Sequence, residues 1–328
     1  MRLLLAGIIV AALAWGGYWF VGARALEAQV HSFLDRTPQA RADAVRLLGF
    51  PNRFDLTLTR PQYDGPNGTR WSAPFAQLFA LSYRPNHVIL VLPNDQQLDI
   101  GGIPLAIHST DMRASVVTRA STDLPLDRFS LVSDGPRLSA PNGLALQADV
   151  MRLASRADDQ EATRHVLGFE LLELRLPPGL RALLDPDGVL PPQIARAHLD
   201  AMLQLDRPVD RHATDGMPRI TGIDVASARI EWGDLRIEAT GVLQADAQGH
   251  LSGDIDVTVT EWTLLLEAAR RARMWEPQYD LLIVPLFRGL AEEDGDPTRL
   301  SLPLTLQAGR VYLGPIELGF VPPLPGGS

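Results

Sequence analysis

The feature that most constrains the fold is an apolar residue at every second position in most segments after Pro51. The first such segment is Phe54-Asp55-Leu56-Thr57-Leu58, where apolar and polar residues alternate. Because successive side chains of a strand point to opposite faces, the pattern predicts half-buried β-strands. Turn formers separate these segments, for example Gly101-Gly102 and Pro141-Asn142-Gly143. The predicted fold class is α+β, mainly β: a large curved antiparallel sheet, which could consist of two similar halves, with a few packing helices.

Individual segments can be assigned from the same pattern. A hairpin is predicted at the turn Tyr63 to Gly68, with Trp71 in its returning strand. Helical spacing of Trp262, Leu265, Leu266 and Ala269 predicts a helix, and residues 279–290 form a second apolar stretch containing Pro285. The strand 198–206 keeps a helical alternative, because short apolar runs are ambiguous. The predicted strands are 88–92, 97–100, 105–109, 113–119, 129–132, 144–153, 169–176, 198–206, 220–232, 235–243, 249–260, 300–306 and 310–318.

An uncharged apolar run from Leu3 to Val21 precedes these strands and is flanked by Arg2 and Arg24. At ~1.5 Å rise per residue, its length suits a hydrocarbon core of ~30 Å, so residues 1–24 are predicted to be a transmembrane signal anchor. A cleaved signal peptide is the first alternative, since Ala23-Arg24-Ala25 has an A-x-A form. A buried helix of a soluble protein is the second, although such a helix would normally show a polar stripe. The rings near the end of the run favour the headgroup boundary. They are Trp15, Tyr18, Trp19 and Phe20.

The remaining domain organisation follows from caps and prolines. Residues 25–48 are predicted to be a helical connector, in which Thr37-Pro38 would begin a second helical stretch ended by Gly49 and Pro51. Residues 49–328 would form a periplasmic β-rich domain, with an internal boundary near residues 177–193, where five prolines occur between Pro177 and Pro192. The predicted location is the bacterial inner membrane, single-pass, with the bulk in the periplasm.

Composition excludes several kinds of chemistry. All 30 basic residues other than histidine are arginine, so lysine-dependent Schiff bases and P-loops cannot occur. The absence of cysteine excludes disulfides, thiol nucleophiles and thiolate zinc sites. A net charge of −9 makes nucleic acid an unfavourable partner.

Candidate catalytic and metal motifs are weak. Asp206, Asp210, His212 and Asp215 could converge on a metal, but a solvated acidic loop explains them as well. The run Glu292 to Asp296 lacks EF-hand spacing. In the run Gly249 to Gly253 the serine, Ser252, is one place too late for a nucleophile elbow. We therefore expect no enzymatic activity, no metal and no cofactor.

Three blocks carry a resemblance to a known family: Gly49 to Leu56, Trp71 to Phe75 and Ala80 to His87. They resemble an uncharacterised alphaproteobacterial family of the DUF2125 type, which has a periplasmic domain of unknown function and a single N-terminal anchor. The ending Ala308 to Ile316 looks like that family's closing hairpin. More remotely, the strands from Leu235 to Val257 look like those of AsmA-like envelope proteins, which implies a role with phospholipid or in maintaining the envelope.

The polar and aromatic residues of these blocks are the candidate site. They could line a mouth that binds a lipid headgroup, or they could be structural, with an arginine paired to a carboxylate and a tryptophan in the core. The candidates are Arg53, Trp71, Tyr83, Arg84 and His87.

The predicted function is a membrane-anchored, non-catalytic periplasmic protein that binds lipid or maintains the envelope. Its partners would be the inner-membrane bilayer and phospholipid or another envelope protein. A tethered protein–protein interaction scaffold with a packed core is the first alternative, and an unrecognised hydrolase is the second.

Overall fold

The computed structural model describes residues 2–324, except 66, 67, 186, 215, 272–279 and 294. The described part is mainly β and confirms the predicted fold class. Its α-helices are α1 (Arg2–Arg36), α2 (Pro178–Leu184), α3 (Trp262–Arg271) and α4 (Asp280–Glu293). Its strands are β1 (Ala40–Arg41), β2 (Ala44–Leu48), β3 (Arg53–Thr59), β4 (Gln62–Asp64), β5 (Arg70–Ser72), β6 (Phe75–Leu81), β7 (Arg84–Leu92), β8 (Asp95–Ile100), β9 (Ile103–His108), β10 (Asp111–Thr118), β11 (Leu126–Asp134), β12 (Arg137–Ser139), β13 (Ala145–Gln147), β14 (Val150–Ala157), β15 (Arg164–Leu174), β16 (Ile194–Leu205), β17 (Ile220–Trp232), β18 (Leu235–Ala245), β19 (Leu251–Thr260), β20 (Arg299–Gln307), β21 (Arg310–Leu313) and β22 (Ile316–Phe320).

The chain divides into two compact units. Unit 1 consists of residues 1–120 and 129–144, and unit 2 of residues 121–128 and 145–328. The predicted internal boundary at 177–193 lies inside unit 2, where the proline-rich stretch contains α2.

Unit 1 contains α1 and two antiparallel sheets. One sheet has the strand order β1-β4-β5-β8-β9-β12, and the other includes β2-β3-β6-β7-β10-β11. The side chain of Gln96 joins the two sheets, because its Oε1 accepts a hydrogen bond from Trp71 Nε1 at 3.0 Å and its Nε2 lies 3.3 Å from Met112 Sδ. The predicted hairpin is confirmed, since Tyr63 pairs with Trp71, although residues 66 and 67 of its turn lie outside the described residues.

Unit 2 contains a meander of nine strands, β14 to β22, in which each strand is antiparallel to the next. The stretch predicted at 198–206 is confirmed as strand, since residues 198–205 lie within β16. Helices α3 and α4 pack against one end of the sheet through Trp262, Leu266 and Ala291. Pro285 lies within α4, while Tyr279 of the predicted stretch lies outside the described residues.

The predicted helical stretch from Thr37 to Leu48 is wrong. Helix α1 continues without interruption to Arg36, where Thr37 N donates to Phe33 O, and the chain then forms β1 and β2. Strand β2 pairs with β3, so that Val45 lies opposite Leu58 and Leu47 opposite Leu56. The pairing partner, which the local cap signal does not reveal, decides the structure of this segment.

Candidate functional site

Three of the five candidate residues meet in one groove of unit 1. The groove has a volume of about 380 Å³. Strand pairing brings the residues together, because Arg53 at the start of β3 lies opposite Leu81, and Leu81 lies opposite Arg84 at the start of β7. We call this groove the arginine groove. It is lined by Arg53, Phe79, Ala80, Leu81, Arg84, His87 and Ile89.

The polar side chains of the arginine groove differ in the hydrogen bonds and ion pairs that they form. Arg53 donates to Asp55 at 2.8 Å, and its guanidinium carbon lies 6.0 Å from the Phe79 ring centroid. His87 Nε2 lies 2.9 Å from Ser115 Oγ. Arg84 is exposed and has no ion pair within the described ranges. The groove therefore offers one uncommitted guanidinium beside an apolar floor, an arrangement suited to an amphipathic anion.

The other two candidates lie outside the lining of the groove. Trp71 lies in the other sheet of unit 1, where its hydrogen bond to Gln96 gives it a structural role. Tyr83 lies in the turn between β6 and β7 and is 60% exposed. It follows Ser82, whose carbonyl oxygen accepts a hydrogen bond from Tyr18 on α1.

Within unit 1, helix α1 is bound to the β-strands and their turns by hydrogen bonds from three of its aromatic side chains. Trp15 Nε1 donates to Pro51 O at 3.0 Å, Tyr18 Oη to Ser82 O at 2.8 Å, and Trp19 Nε1 to Arg53 O at 2.7 Å. Each bond pairs a ring donor with a backbone carbonyl beside the arginine groove. Sequence reasoning assigned these rings to the headgroup boundary alone and missed their protein partners.

Apolar packing completes this attachment. Trp19, Ala23 and Phe54 form a buried cluster, against which Leu26 and Leu47 pack. A Cβ at position 22 would lie only 3.1 Å from the Phe54 ring, so Gly22 permits the close approach of helix and strand. Residues 15, 19, 22 and 23 follow helical spacing, and this stripe is the signal in the sequence that could have predicted the contact.

A second candidate surface lies on the sheet of unit 2. Strand register aligns one apolar residue from each of seven strands into a row, and a second row lies beside it. We call the two rows the apolar face. The first row is Leu153, Phe169, Leu199, Ala228, Ala239, Val257 and Leu302, and the second is Leu167, Ala201, Val225, Gly241, Ile255 and Leu304.

The apolar face is covered at its two margins and open between them. Val259, beneath α3 and α4, is 1% exposed, whereas Val257, two residues along the same strand and face, is only half-buried. At the other margin, Leu243, Leu251 and Leu306 are buried beneath the C-terminal segment. Every residue of the first row is half-buried. A second packed layer would bury these side chains, and the residues that the structure describes place none over the first row, although Ala201 of the second row is 3% exposed.

The open part is long enough for a lipid chain. Seven strands spaced ~4.8 Å apart give a row of about 29 Å. One acyl chain spans about half of a hydrocarbon core of ~30 Å. The first row is therefore longer than a single acyl chain.

The opposite face of the same sheet carries acidic and basic side chains that form ion pairs with one another. Glu170 accepts from Arg152 at 2.7 Å and from Arg196 at 2.8 Å, and Arg229 pairs with Glu238 at 2.7 Å. These ion pairs join neighbouring strands. The two faces therefore differ in kind, and the rows of apolar residues that run across the strands lie on the apolar face.

This charged face predicts a response to acid. The hydrogen bond from Arg152, together with the Arg196 charge, holds the pKa of Glu170 below its ordinary value of 4.5. A lowered folded-state pKa stabilises the protein above the ordinary value, and this stabilisation is lost as pH falls through the lowered pKa. Replacing Glu170 with glutamine should therefore flatten the stability curve below pH 4.5. Thermal unfolding between neutral and acidic pH measures the change. The exposed pair Arg310–Glu317 supplies the control, since Glu317→Gln should leave the curve nearly unchanged.

The weaker motifs have structural roles where the structure describes them. Asp206 accepts two hydrogen bonds from Arg219, at 2.9 Å each, which hold the pKa of Asp206 below its ordinary value. Asp215 and Asp294 lie outside the described residues. Ser252 Oγ accepts a hydrogen bond from Ala308 N at 3.0 Å, which links β19 to the turn between β20 and β21. Within the part of the chain that the structure describes, no three acidic or histidine side chains are grouped to hold a metal.

The described part of the chain has one helix long and apolar enough to cross a membrane, over residues 7–36, near the N-terminus. By length and composition this is consistent with a single-pass anchor.

Comparisons with known proteins give one match. The family model described as an uncharacterized protein conserved in bacteria, DUF2125, matches residues 19–322. No curated protein and no solved structure matches. The predicted family resemblance is confirmed, while the remoter likeness to AsmA-like proteins and the alphaproteobacterial origin stay predictions.

Proposed function

We propose that this chain, which belongs to the DUF2125 family of uncharacterized bacterial proteins, is a non-catalytic lipid-binding protein of the cell envelope. In this proposal α1 anchors the chain in the inner membrane, and the β-rich units lie in the periplasm. The open apolar face of unit 2 carries the proposal. There, the apolar side chains of the first row are only half-buried, and one or more acyl chains could cover them.

Physical chemistry favours lipid as the occupant of this face. A contiguous exposed apolar surface is unfavourable in water and marks a binding site in soluble domains. Between the covered margins, the small residues Ala228, Ala239 and Gly241 leave the middle of the face without bulky side chains. A membrane anchor would keep a supply of phospholipid close to the protein.

A substitution that fills the apolar face tests the proposal. Ala239→Trp places a large ring in the first row, and we expect a several-fold loss of phospholipid that copurifies with the full chain in mild detergent. Thr240 is the neighbouring residue on the same strand and is exposed on the opposite face, so Thr240→Trp is the matched control and should retain lipid. Mass spectrometry of extracted lipid measures both variants.

Two outcomes would contradict the proposal. One is wild-type protein that carries no lipid above an unrelated anchored protein. The other is equal lipid on both tryptophan variants, provided that both unfold as the wild-type chain does.

A further inference from the structure

The contact between α1 and unit 1 conflicts with a simple picture of an anchor followed by a separate domain. Binding to unit 1 begins at Trp15 and continues through Ala23. Only residues 3–14 of the uncharged run precede this contact, and twelve helical residues cover ~18 Å. A hydrocarbon core of ~30 Å needs the whole run between Arg2 and Arg24. Residues 15–21, and the turns of unit 1 bound to them, must then lie within the membrane, at the end of the span where the hydrocarbon core meets the headgroups.

The surface beside this contact has the composition of a membrane interface. Large apolar or aromatic residues of α1, β2 and the two adjoining turns are exposed there, and Phe50 packs against the rings of Trp19 and Phe20. In water these side chains would be an unfavourable patch, whereas aromatic rings favour the headgroup region. We call this surface the aromatic rim. It consists of Phe20 (58% exposed), Val21 (71%), Leu48 (58%), Phe50 (55%) and Tyr83 (60%).

Cationic groups border the aromatic rim at the place where lipid phosphates would lie. Arg53 is separated from Phe50 by two residues, and Arg84 follows Tyr83 directly. Both arginines line the arginine groove, and its floor includes the exposed apolar residues Leu81 and Ile89. A guanidinium can bind a phosphate through two parallel hydrogen bonds.

We propose that the aromatic rim of unit 1 is inserted into the headgroup region of the leaflet from which α1 emerges, with Arg84 at the phosphates of anionic phospholipids. The inference rests on the membrane anchorage of the proposed function and adds the depth and orientation of unit 1. It does not depend on lipid binding by unit 2.

Site-directed spin labelling of the full chain measures this depth. The chain has no cysteine, so a single introduced cysteine is labelled at one position. The full-length variants Phe50→Cys, Tyr83→Cys and Ile103→Cys are placed in lipid discs of phosphatidylcholine and phosphatidylglycerol. The measured quantity is the accessibility of the label to oxygen divided by its accessibility to a water-soluble nickel chelate. We expect this ratio to be several-fold higher at positions 50 and 83 than at position 103. Ile103 is an exposed apolar residue in the other sheet of unit 1 and serves as the matched control.

The same lipid discs test whether Arg84 binds anionic phospholipid. Arg84→Gln should reduce the enrichment of phosphatidylglycerol around the protein, whereas Arg113→Gln, at an arginine paired with Asp111 at 2.6 Å, should not. Labels at 50 and 83 that are as water-accessible as the label at 103 would overturn the inference and leave the anchor intact. A chain that does not enter the discs would overturn the inference and the proposed anchorage together.

Discussion

Replacing Trp19 with alanine is expected to lower the free energy of unfolding of unit 1 by about 3–5 kcal/mol, which is typical of removing a large aromatic side chain from a core. Trp19 is 6% exposed, stacks on Phe54 with a centroid separation of 5.9 Å, and donates to Arg53 O. Alanine would leave a cavity beside Phe54 and a carbonyl without its donor. Although it belongs to the apolar run, Trp19 is a core residue of unit 1.

The neighbouring residue Phe20 supplies the control. It is also aromatic and touches Trp19, but it is 58% exposed, so Phe20→Ala should cost about 1 kcal/mol or less in detergent. Proteolysis across a urea series, with cleavage products assigned to each unit, measures the two variants. Equal effects of the two substitutions would contradict the assignment of Trp19 to the core. The packing also implies that a chain lacking residues 1–24 loses part of the unit 1 core.

Replacing Asp185 with alanine should destabilise unit 2 by about 3–5 kcal/mol, which is the usual cost of removing one partner of a buried ion pair. The carboxylate of Asp185 accepts from Val189 N at 2.8 Å, Leu190 N at 3.1 Å and Arg181 Nη2 at 3.0 Å, and its side chain is 5% exposed. Without it, the buried N–H of Leu190, the partly buried N–H of Val189 and a guanidinium lose an acceptor. Arg181 also donates to the carbonyl oxygens of Leu190 and Pro191, so the whole turn depends on this pair.

Asp187, two residues further along the same turn, is the matched control. It forms an ion pair with Arg271 at 2.6 Å, but its side chain is 65% exposed, and exposed pairs contribute about 0–1 kcal/mol. Thermal unfolding monitored by tryptophan fluorescence can compare Asp185→Ala with Asp187→Ala, because Trp232 lies beside this turn and donates to Pro191 O. A loss for Asp187→Ala as large as that for Asp185→Ala would show that the turn is not held by the buried carboxylate.

The fold was predictable wherever the alternation was long. The predicted strand at 220–232 coincides with β17, because apolar residues recur at every second position on each side of a bulge between Val225 and Ala228. The short segment from Ala44 to Leu48 was not predictable, because Thr37-Pro38 is a local helix signal. Leu47 packs against a cluster from α1 and β3, and Val45 lies opposite Leu58 of β3. Local patterns do not contain such tertiary partners.

The candidate site was predictable only in part for the same reason. Arg53 and Arg84 meet because β3, β6 and β7 are neighbours in one sheet, and chain order made this pairing plausible. Trp71 belongs to the other sheet, and nothing in its own sequence block indicates this. The apolar face depends on the register of seven strands. A shift of one residue in any strand would have moved the apolar side chains of that strand to the opposite face of the sheet.

The most direct test of the central claim is photocrosslinking in intact cells, with p-benzoylphenylalanine in place of Ala239 in the full chain. If the apolar face of unit 2 holds acyl chains, irradiation should attach phospholipid at position 239, and the same group in place of Thr240 should attach none. Mass spectrometry of the purified adducts identifies what is attached. A protein adduct at position 239 without lipid would contradict lipid binding and favour the interaction scaffold, and the absence of any adduct at 239 would contradict both.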